Sequence, residues 1–178
     1  MNGFSDVVKN FFEEGKVAQS EFAECLIKDK GGEIREATES EDMFKHIDLF
    51  WNPHMKGKRE CSFDVKGMKK VNRLDESKTN TSTWLELQNV NGQKGSLLGD
   101  ADYISFESNE GWYIANRKKL LFKLMESLIT YDVEIKPPNI KPVYFKKYQR
   151  QGRKDIIVLV PMSFIIENSQ VMIPKLNK

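Results

Sequence analysis

Apolar residues recur along the first thirty residues with the spacing of an amphipathic helix. The pattern predicts a short helix over residues 4–12 and a longer one over residues 16–29. The apolar stripe of the longer helix consists of Ala18, Phe22, Cys25 and Leu26. Gly31 and Gly32 follow directly, and a glycine pair in this position is typical of a helix end.

The middle of the chain has the pattern of short strands. Residues 33–42 are polar and fit no element, whereas residues 43–51 end in apolar and aromatic side chains before the break at Asn52-Pro53. Strands are predicted at 60–67, 83–90, 101–108 and 111–117, the last three forming a run of antiparallel strands. The intervening residues 68–83 are polar and basic without periodicity, so we expect a loop there.

The last third of the chain predicts a helix and then strands. Residues 116–132 have the pattern of an amphipathic helix, and the proline-rich stretch 135–142 that of a stiff linker. Strands are predicted at 143–149 and over the apolar run 155–166, followed by a polar tail. This order predicts an α/β fold, a sandwich of helices around one mixed central sheet, and the length of 178 residues fits a single domain over 1–178.

Composition narrows the class of protein. With 39% hydrophobic and 30% charged residues, the chain is typical of a globular protein. No stretch has the length and apolarity of a membrane span, and the N-terminus lacks the pattern of a signal peptide, so we expect a cytoplasmic protein without membrane contact. Cys25 and Cys61 stand in a helix and a strand, where reduced thiols are expected.

The net charge of +2 does not by itself indicate a nucleic-acid partner, but the positive charges are clustered. Three stretches carry them: residues 56–59, residues 66–73 and residues 146–154. Clustered lysines and arginines are typical of surfaces that bind phosphates, although a merely solvated face gives the same pattern.

Polar side chains occur at four places where a packed element favours apolar ones. Asp64 and Lys66 are two residues apart on a predicted strand, so both leave it on the same face. Asp48 stands between Ile47 and Leu49, and Glu21 lies at the edge of the helical stripe. Carboxylates are the oxygen ligands that Mg²⁺ prefers, and a lysine beside a bound water can orient that water. Taken alone, each position is equally consistent with a surface ion pair or a helix cap.

The ordered combination resembles the PD-(D/E)XK nuclease superfamily, which has the restriction-endonuclease-like fold. Its helix glutamate falls on Glu21 in SEFAECL, its first aspartate on Asp48 in HIDLFW, and its acidic-x-lysine pair on Asp64 and Lys66 in SFDVKG. The match covers residues 16–67 and departs from the common pattern at Ile47, where many members have proline. Glu24 and Glu13 are alternatives to Glu21 as the helix carboxylate.

The resemblance implies a Mg²⁺-dependent nuclease that hydrolyses DNA phosphodiesters, with Mn²⁺ able to replace Mg²⁺. Glu21, Asp48, Asp64 and the backbone carbonyl of Val65 would bind metal, and Lys66 would orient the attacking water. It also makes Gln88 a candidate for orienting the metal or the lysine, from a strand next to the one that carries Asp64.

A nuclease of this class also needs contacts to DNA. The candidate DNA-binding residues are Lys56, Lys58, Arg59, Lys69, Lys70, Arg73 and Trp84. The resemblance further implies a homodimer and a role in recombination or repair, such as Holliday-junction resolution. The alternative is a catalytically inactive domain of the same fold that binds nucleic acid or another protein.

Overall fold

The computed structural model of the protein describes residues 3–71, 75, 77–137 and 141–176, with side chains from residue 13 onward. Within these residues the chain forms helices and strands that are joined by loops. The helices are α1 (Gly3–Lys30), α2 (Glu39–Lys45), α3 (Arg117–Ser127) and α4 (Met162–Glu167). The strands are β1 (Glu33–Glu36), β2 (Leu49–Asn52), β3 (Cys61–Lys66), β4 (Ser82–Gln88), β5 (Tyr103–Glu107), β6 (Gly111–Asn116), β7 (Val133–Lys136), β8 (Lys147–Arg150), β9 (Ile156–Pro161) and β10 (Ser169–Pro174).

The strands form two sheets. A six-stranded sheet has the order β1-β2-β3-β5-β6-β10, and a four-stranded sheet has the order β4-β9-β8-β7. In the larger sheet β3 and β5 run parallel, while the other neighbours are antiparallel. The predicted α/β class with a mixed central sheet and flanking helices is therefore confirmed, whereas the expectation of one sheet is wrong.

Each face of the six-stranded sheet has its own hydrophobic cluster. On one face α1 packs through the buried residues Ala18, Phe22, Cys25 and Leu26, as its apolar stripe predicts, against Phe63, Trp112 and others. The second cluster joins Ile104 and Phe106 of β5 to α3, α4 and the four-stranded sheet. The six-stranded sheet therefore lies between α1 on one face and α3, α4 and the four-stranded sheet on the other.

Several predicted boundaries differ from the observed ones. A single helix, α1, passes through Gly15 instead of ending before it, and it stops at the predicted Gly31-Gly32 pair. Gly32 has φ +89, and a Cβ there would lie 2.3 Å from the Asn52 carbonyl oxygen, so the turn requires glycine. The free cysteines Cys25 and Cys61 agree with the expected reduced thiols.

The C-terminal third deviates most from the prediction. The apolar run 155–166 was expected as one strand but divides into β9 and α4 at Pro161. The supposed polar tail forms β10 against β6, and the supposed linker begins within β7. The predicted helix over 116–132 is confirmed as the shorter α3. Among the described residues, the helices are all too short or too polar to cross a membrane.

Candidate active site

A tight turn after α2 brings Asp48 to the start of β2, beside β3, in the six-stranded sheet. Thr38 caps the start of α2 and forms a reciprocal capping box with Glu41. His46 ends the helix in the left-handed conformation, with φ 54, and the chain reverses there. The Asp48 backbone N–H then donates to the Phe63 carbonyl at 2.8 Å, so Asp48 joins β3 just before β2 begins.

Asp64 and Lys66 project from the end of β3 and form an ion pair. Their side-chain atoms Oδ1 and Nζ are 2.8 Å apart, and the side chains are 4% and 26% exposed. The alternation of a strand places both on one face, as the two-residue spacing predicts. The other carboxylate oxygen of Asp64, Oδ2, is buried without a hydrogen-bond partner.

The Asp48 carboxylate is held by two hydrogen bonds from different elements. The backbone N–H of Val65 donates to Oδ2 at 2.5 Å, and the side-chain amide of Gln19 on α1 donates to Oδ1 at 2.7 Å. Asp48 thereby connects α1 to the residue between Asp64 and Lys66. The structure thus brings Asp48, Asp64, Val65 and Lys66 together.

Negative charge is concentrated at this place. Burial, reinforced by the charge of Asp64, raises the pKa of the Asp48 carboxyl to about 7. Burial also raises the pKa of Asp42 on α2, with Asp64 again contributing. For Lys66, burial alone lowers the pKa, but the charges of Asp64 and Asp48 outweigh it and the pKa lies above its usual value. Lys66 is therefore a cation at neutral pH, suited to donating hydrogen bonds and not to accepting a proton.

The Asp48 and Asp64 carboxylates fit a divalent cation. Two acidic side chains lie close together in a poorly solvated place, one of them has an oxygen without a partner, and Asp48 retains a proton to unusually high pH. A cation would supply the missing positive charge and a partner for Asp64 Oδ2. Mg²⁺ is commonly held by one or two carboxylates, with waters and substrate phosphates completing its shell. Within the described part of the chain, no group of three or more His, Cys, Asp or Glu side chains is arranged to hold a metal.

Glu21 lies at the edge of the α1 stripe opposite to Gln19. Gln19 and Glu21 are two residues apart on α1, roughly 200° around the helix axis, and so occupy opposite edges of the buried stripe. The edge with Gln19 faces Asp48. Glu21 is half-buried on the other edge, and Glu24 and Glu13 are exposed. The helix side chain that the structure brings to Asp48 is an amide and not the expected carboxylate.

The predicted neighbour strand, β4, does not lie beside β3. The strands next to β3 are β2 and β5, whereas β4 is at the edge of the other sheet and pairs with β9. Gln88 uses its side-chain amide to donate to the Lys154 carbonyl. Trp84 is half-buried, donates to the Val71 carbonyl and packs its ring edge-on against Tyr148, which is a packing role.

The candidate DNA-binding cations are divided between the two ends of β3. Lys56, Lys58 and Arg59 precede β3 and are exposed, and Arg59 pairs with Asp102 at 2.7 Å. Lys69 and Lys70 follow β3 at the end where Lys66 lies. Partial desolvation and the charge of Lys66 lower the pKa of Lys69, an exposed residue that follows β3. Arg73 lies outside the described residues.

Two residues of the site escaped the reasoning from sequence. Gln19 stands at an edge of the predicted stripe just as Glu21 does, but of the two only the carboxylate of Glu21 indicates a Mg²⁺ ligand. Asp42 lies in a stretch without hydrophobic periodicity, and the Thr38-x-x-Glu41 capping box is the sequence signal for the helix that carries it.

Comparisons with known proteins neither extend nor restrict this description. No family model matches the chain, and searches of curated proteins and of solved structures likewise return no match. The fold defines a mixed α/β protein, and only the candidate site gives information about its activity.

Proposed function

We propose that the protein is a Mg²⁺-dependent nuclease that hydrolyses DNA phosphodiesters. The single observation that carries this proposal is the close pair of carboxylates, the half-buried Asp48 and the buried Asp64, with Lys66 paired to the second. Acidic groups are costly to bury together unless a cation binds them. The proposal includes a cytoplasmic location, DNA as partner, Mn²⁺ as a substitute metal and a homodimer in which each subunit cuts one strand.

Each residue has a distinct task in the proposed reaction. Asp48 and Asp64 would hold the metal, which supplies charge stabilisation at the attacked phosphate and favours deprotonation of a bound water. Lys66 remains charged and would orient the attacking water while balancing the negative charge that grows on the phosphate. The resemblance to PD-(D/E)XK nucleases agrees with these tasks, and a recombination or repair role is its more specific form.

A cleavage assay with two isosteric variants tests the proposal. Supercoiled plasmid, single-stranded DNA and a four-way junction are incubated with the wild-type protein, Asp64→Asn or Lys66→Met, in Mg²⁺ or in EDTA. We expect cleavage only with Mg²⁺ and a loss of about 10²–10⁴-fold in either variant, because each removes a group that acts on the reacting phosphate. Comparison of the three substrates identifies the DNA shape that the protein prefers.

The matched control is Lys118→Met, which removes an exposed lysine of α3. Thermal unfolding of every variant establishes that the loss is not a loss of structure. Cleavage by Asp64→Asn and Lys66→Met at the wild-type rate would refute the proposed mechanism. DNA binding without cleavage, equal in Mg²⁺ and EDTA, would instead favour the inactive DNA-binding domain.

A further inference from the structure

The amide of Gln19 is the contact through which α1 reaches the candidate site. Its Nε2 atom lies 2.7 Å from Asp48 Oδ1, and the two residues are 29 positions apart in the chain. Gln19 follows directly after Ala18, whose buried side chain is part of the cluster between α1 and the sheet. The position of the amide is therefore fixed by the packing of the helix.

The second hydrogen bond on the same carboxylate makes the geometry specific. Val65 donates to Oδ2 while Gln19 donates to Oδ1, so neither oxygen can rotate without breaking a contact. A carboxylate has about four lone-pair sites, and two donors leave room for a cation on the same group. Partners that orient a metal-binding carboxylate without touching the metal strongly affect metal affinity.

We propose that Gln19 is a positioning residue that holds the Asp48 carboxylate in the orientation required for binding a divalent cation. This inference rests on the proposed function, because it assigns Asp48 to the metal. It also replaces the role that the sequence suggested for Glu21, since the neutral amide orients Asp48 without adding a third negative charge. The site then relies on two carboxylates for its cation.

The test compares the wild-type protein with Gln19→Leu, which keeps most of the side-chain volume but cannot donate. Ser20→Ala, at the adjacent exposed position of α1, is the matched control. Three quantities are measured: the amide proton shift of Val65 by NMR without metal, the affinity for Mn²⁺ by calorimetry, and kcat and KM for DNA cleavage. Gln19→Met, which also lacks the donor and adds no charge, is measured in the same way in case Gln19→Leu does not fold.

We expect Gln19→Leu to move the Val65 amide proton upfield, because the acceptor carboxylate is no longer held. We also expect about tenfold weaker Mn²⁺ binding and a similar fall in kcat, with KM for DNA unchanged. Ser20→Ala should behave as the wild-type protein in all three measurements. A merely structural role for Gln19 would lower the unfolding temperature without changing Mn²⁺ affinity.

Two outcomes separate this inference from the proposed function. Suppose that the wild-type protein cleaves DNA and that Gln19→Leu changes neither the Mn²⁺ affinity nor the Val65 amide shift. This result would overturn the role of Gln19 but not the proposed nuclease activity. A wild-type protein that cleaves none of the DNA substrates, but binds Mn²⁺ in a manner sensitive to Gln19→Leu, would overturn the nuclease and support the role of Gln19 at a metal site.

Discussion

At Asp48, folding and the proposed metal binding favour different protonation states of the carboxyl. Burial and the nearby Asp64 make its ionised form unfavourable, so its pKa rises to about 7. A metal ion would favour the same ionised form. The free protein is therefore expected to be strained electrostatically at the pH where the site would bind its cation.

The sign of the resulting pH dependence follows from proton linkage. The unfolded chain releases the Asp48 proton near its usual pKa of about 4, whereas the folded chain keeps it to about 7. Folding therefore binds a proton between these values, and the contribution of Asp48 to the stability of the metal-free protein falls as the pH rises from about 4 to about 7. Below pH 4 both states are protonated, and the penalty is absent.

Asp48→Asn should remove this penalty. Relative to the metal-free wild-type protein, we expect the variant to gain about 1–3 kcal/mol of stability between pH 4 and pH 8, as measured by urea unfolding at both pH values. The Asn side chain also lacks one of the two acceptor oxygens that Gln19 and Val65 use, which lowers the stability of the variant equally at both pH values. Mg²⁺ at pH 8 should stabilise the wild-type protein more than the variant. Asp100→Asn, at an exposed position, is the control. A stability difference that is the same at both pH values would contradict the assignment.

At the scale of elements, α1 both covers one face of the sheet and delivers Gln19. Phe22 is fully buried at the centre of its contact, with ring centroids 5.4 Å from Phe63 and 5.3 Å from Trp112. Since the position of Gln19 depends on this packing, the stability of the helix contact and the geometry of the site are coupled.

Phe22→Ala should destabilise the protein by about 3–5 kcal/mol, because it removes a large buried ring and leaves a cavity. Chemical unfolding followed by tryptophan fluorescence measures the loss, with Trp112 reporting on the same cluster. Val17→Ala, one helix position before the stripe and 57% exposed, should cost less than about 0.5 kcal/mol. Equal effects of the two substitutions would mean that α1 does not pack as described.

The features that the sequence predicted correctly depend on spacing along one element. The stripe of α1 reflects one buried face and is confirmed, and Asp64 and Lys66 leave β3 on the same face, as their spacing predicts, although both faces of this strand are buried. The apolar run at 155–166 was predicted wrongly, because a continuous run of apolar residues has no periodicity to distinguish strand from helix. The two sheets were missed because alternation within β4 carries no information about which strand it pairs with.

The candidate site, like the fold, was predicted only in part from the sequence. Spacing along one strand was enough to bring Asp64 and Lys66 together, and chain order brought Asp48 next to them. The choice between Gln19 and Glu21 depended on which edge of the α1 stripe faces β2 and β3, and that orientation is a property of the packed structure. The grouping of these residues is found in the structure, whereas their role in catalysis stays a prediction.

At the scale of the whole molecule, the distribution of charge decides where DNA can lie. The sequence offered clusters on both sides of β3 as candidates. The structure separates Lys56 and Lys58 from Lys69 and Lys70 by the length of this strand, about 17 Å for six residues. Only the second pair is at the end that carries Lys66, so a DNA backbone whose phosphate reaches the Asp48 and Asp64 pair should contact Lys69 and Lys70.

The salt dependence of binding distinguishes the two clusters. For Lys69→Ala with Lys70→Ala, we expect the slope of log Kd against log salt to fall by about 2, because each phosphate contact contributes about 0.9. For Lys56→Ala with Lys58→Ala, the slope should remain that of the wild-type protein. Fluorescence anisotropy with labelled DNA in Ca²⁺, which limits cleavage, measures both. A reversed result would place the DNA at the far end of β3. A phosphate that contacts Lys56 and Lys58 would lie too far from Asp64 for Lys66 to act on it. The proposed nuclease site could then not reach its substrate.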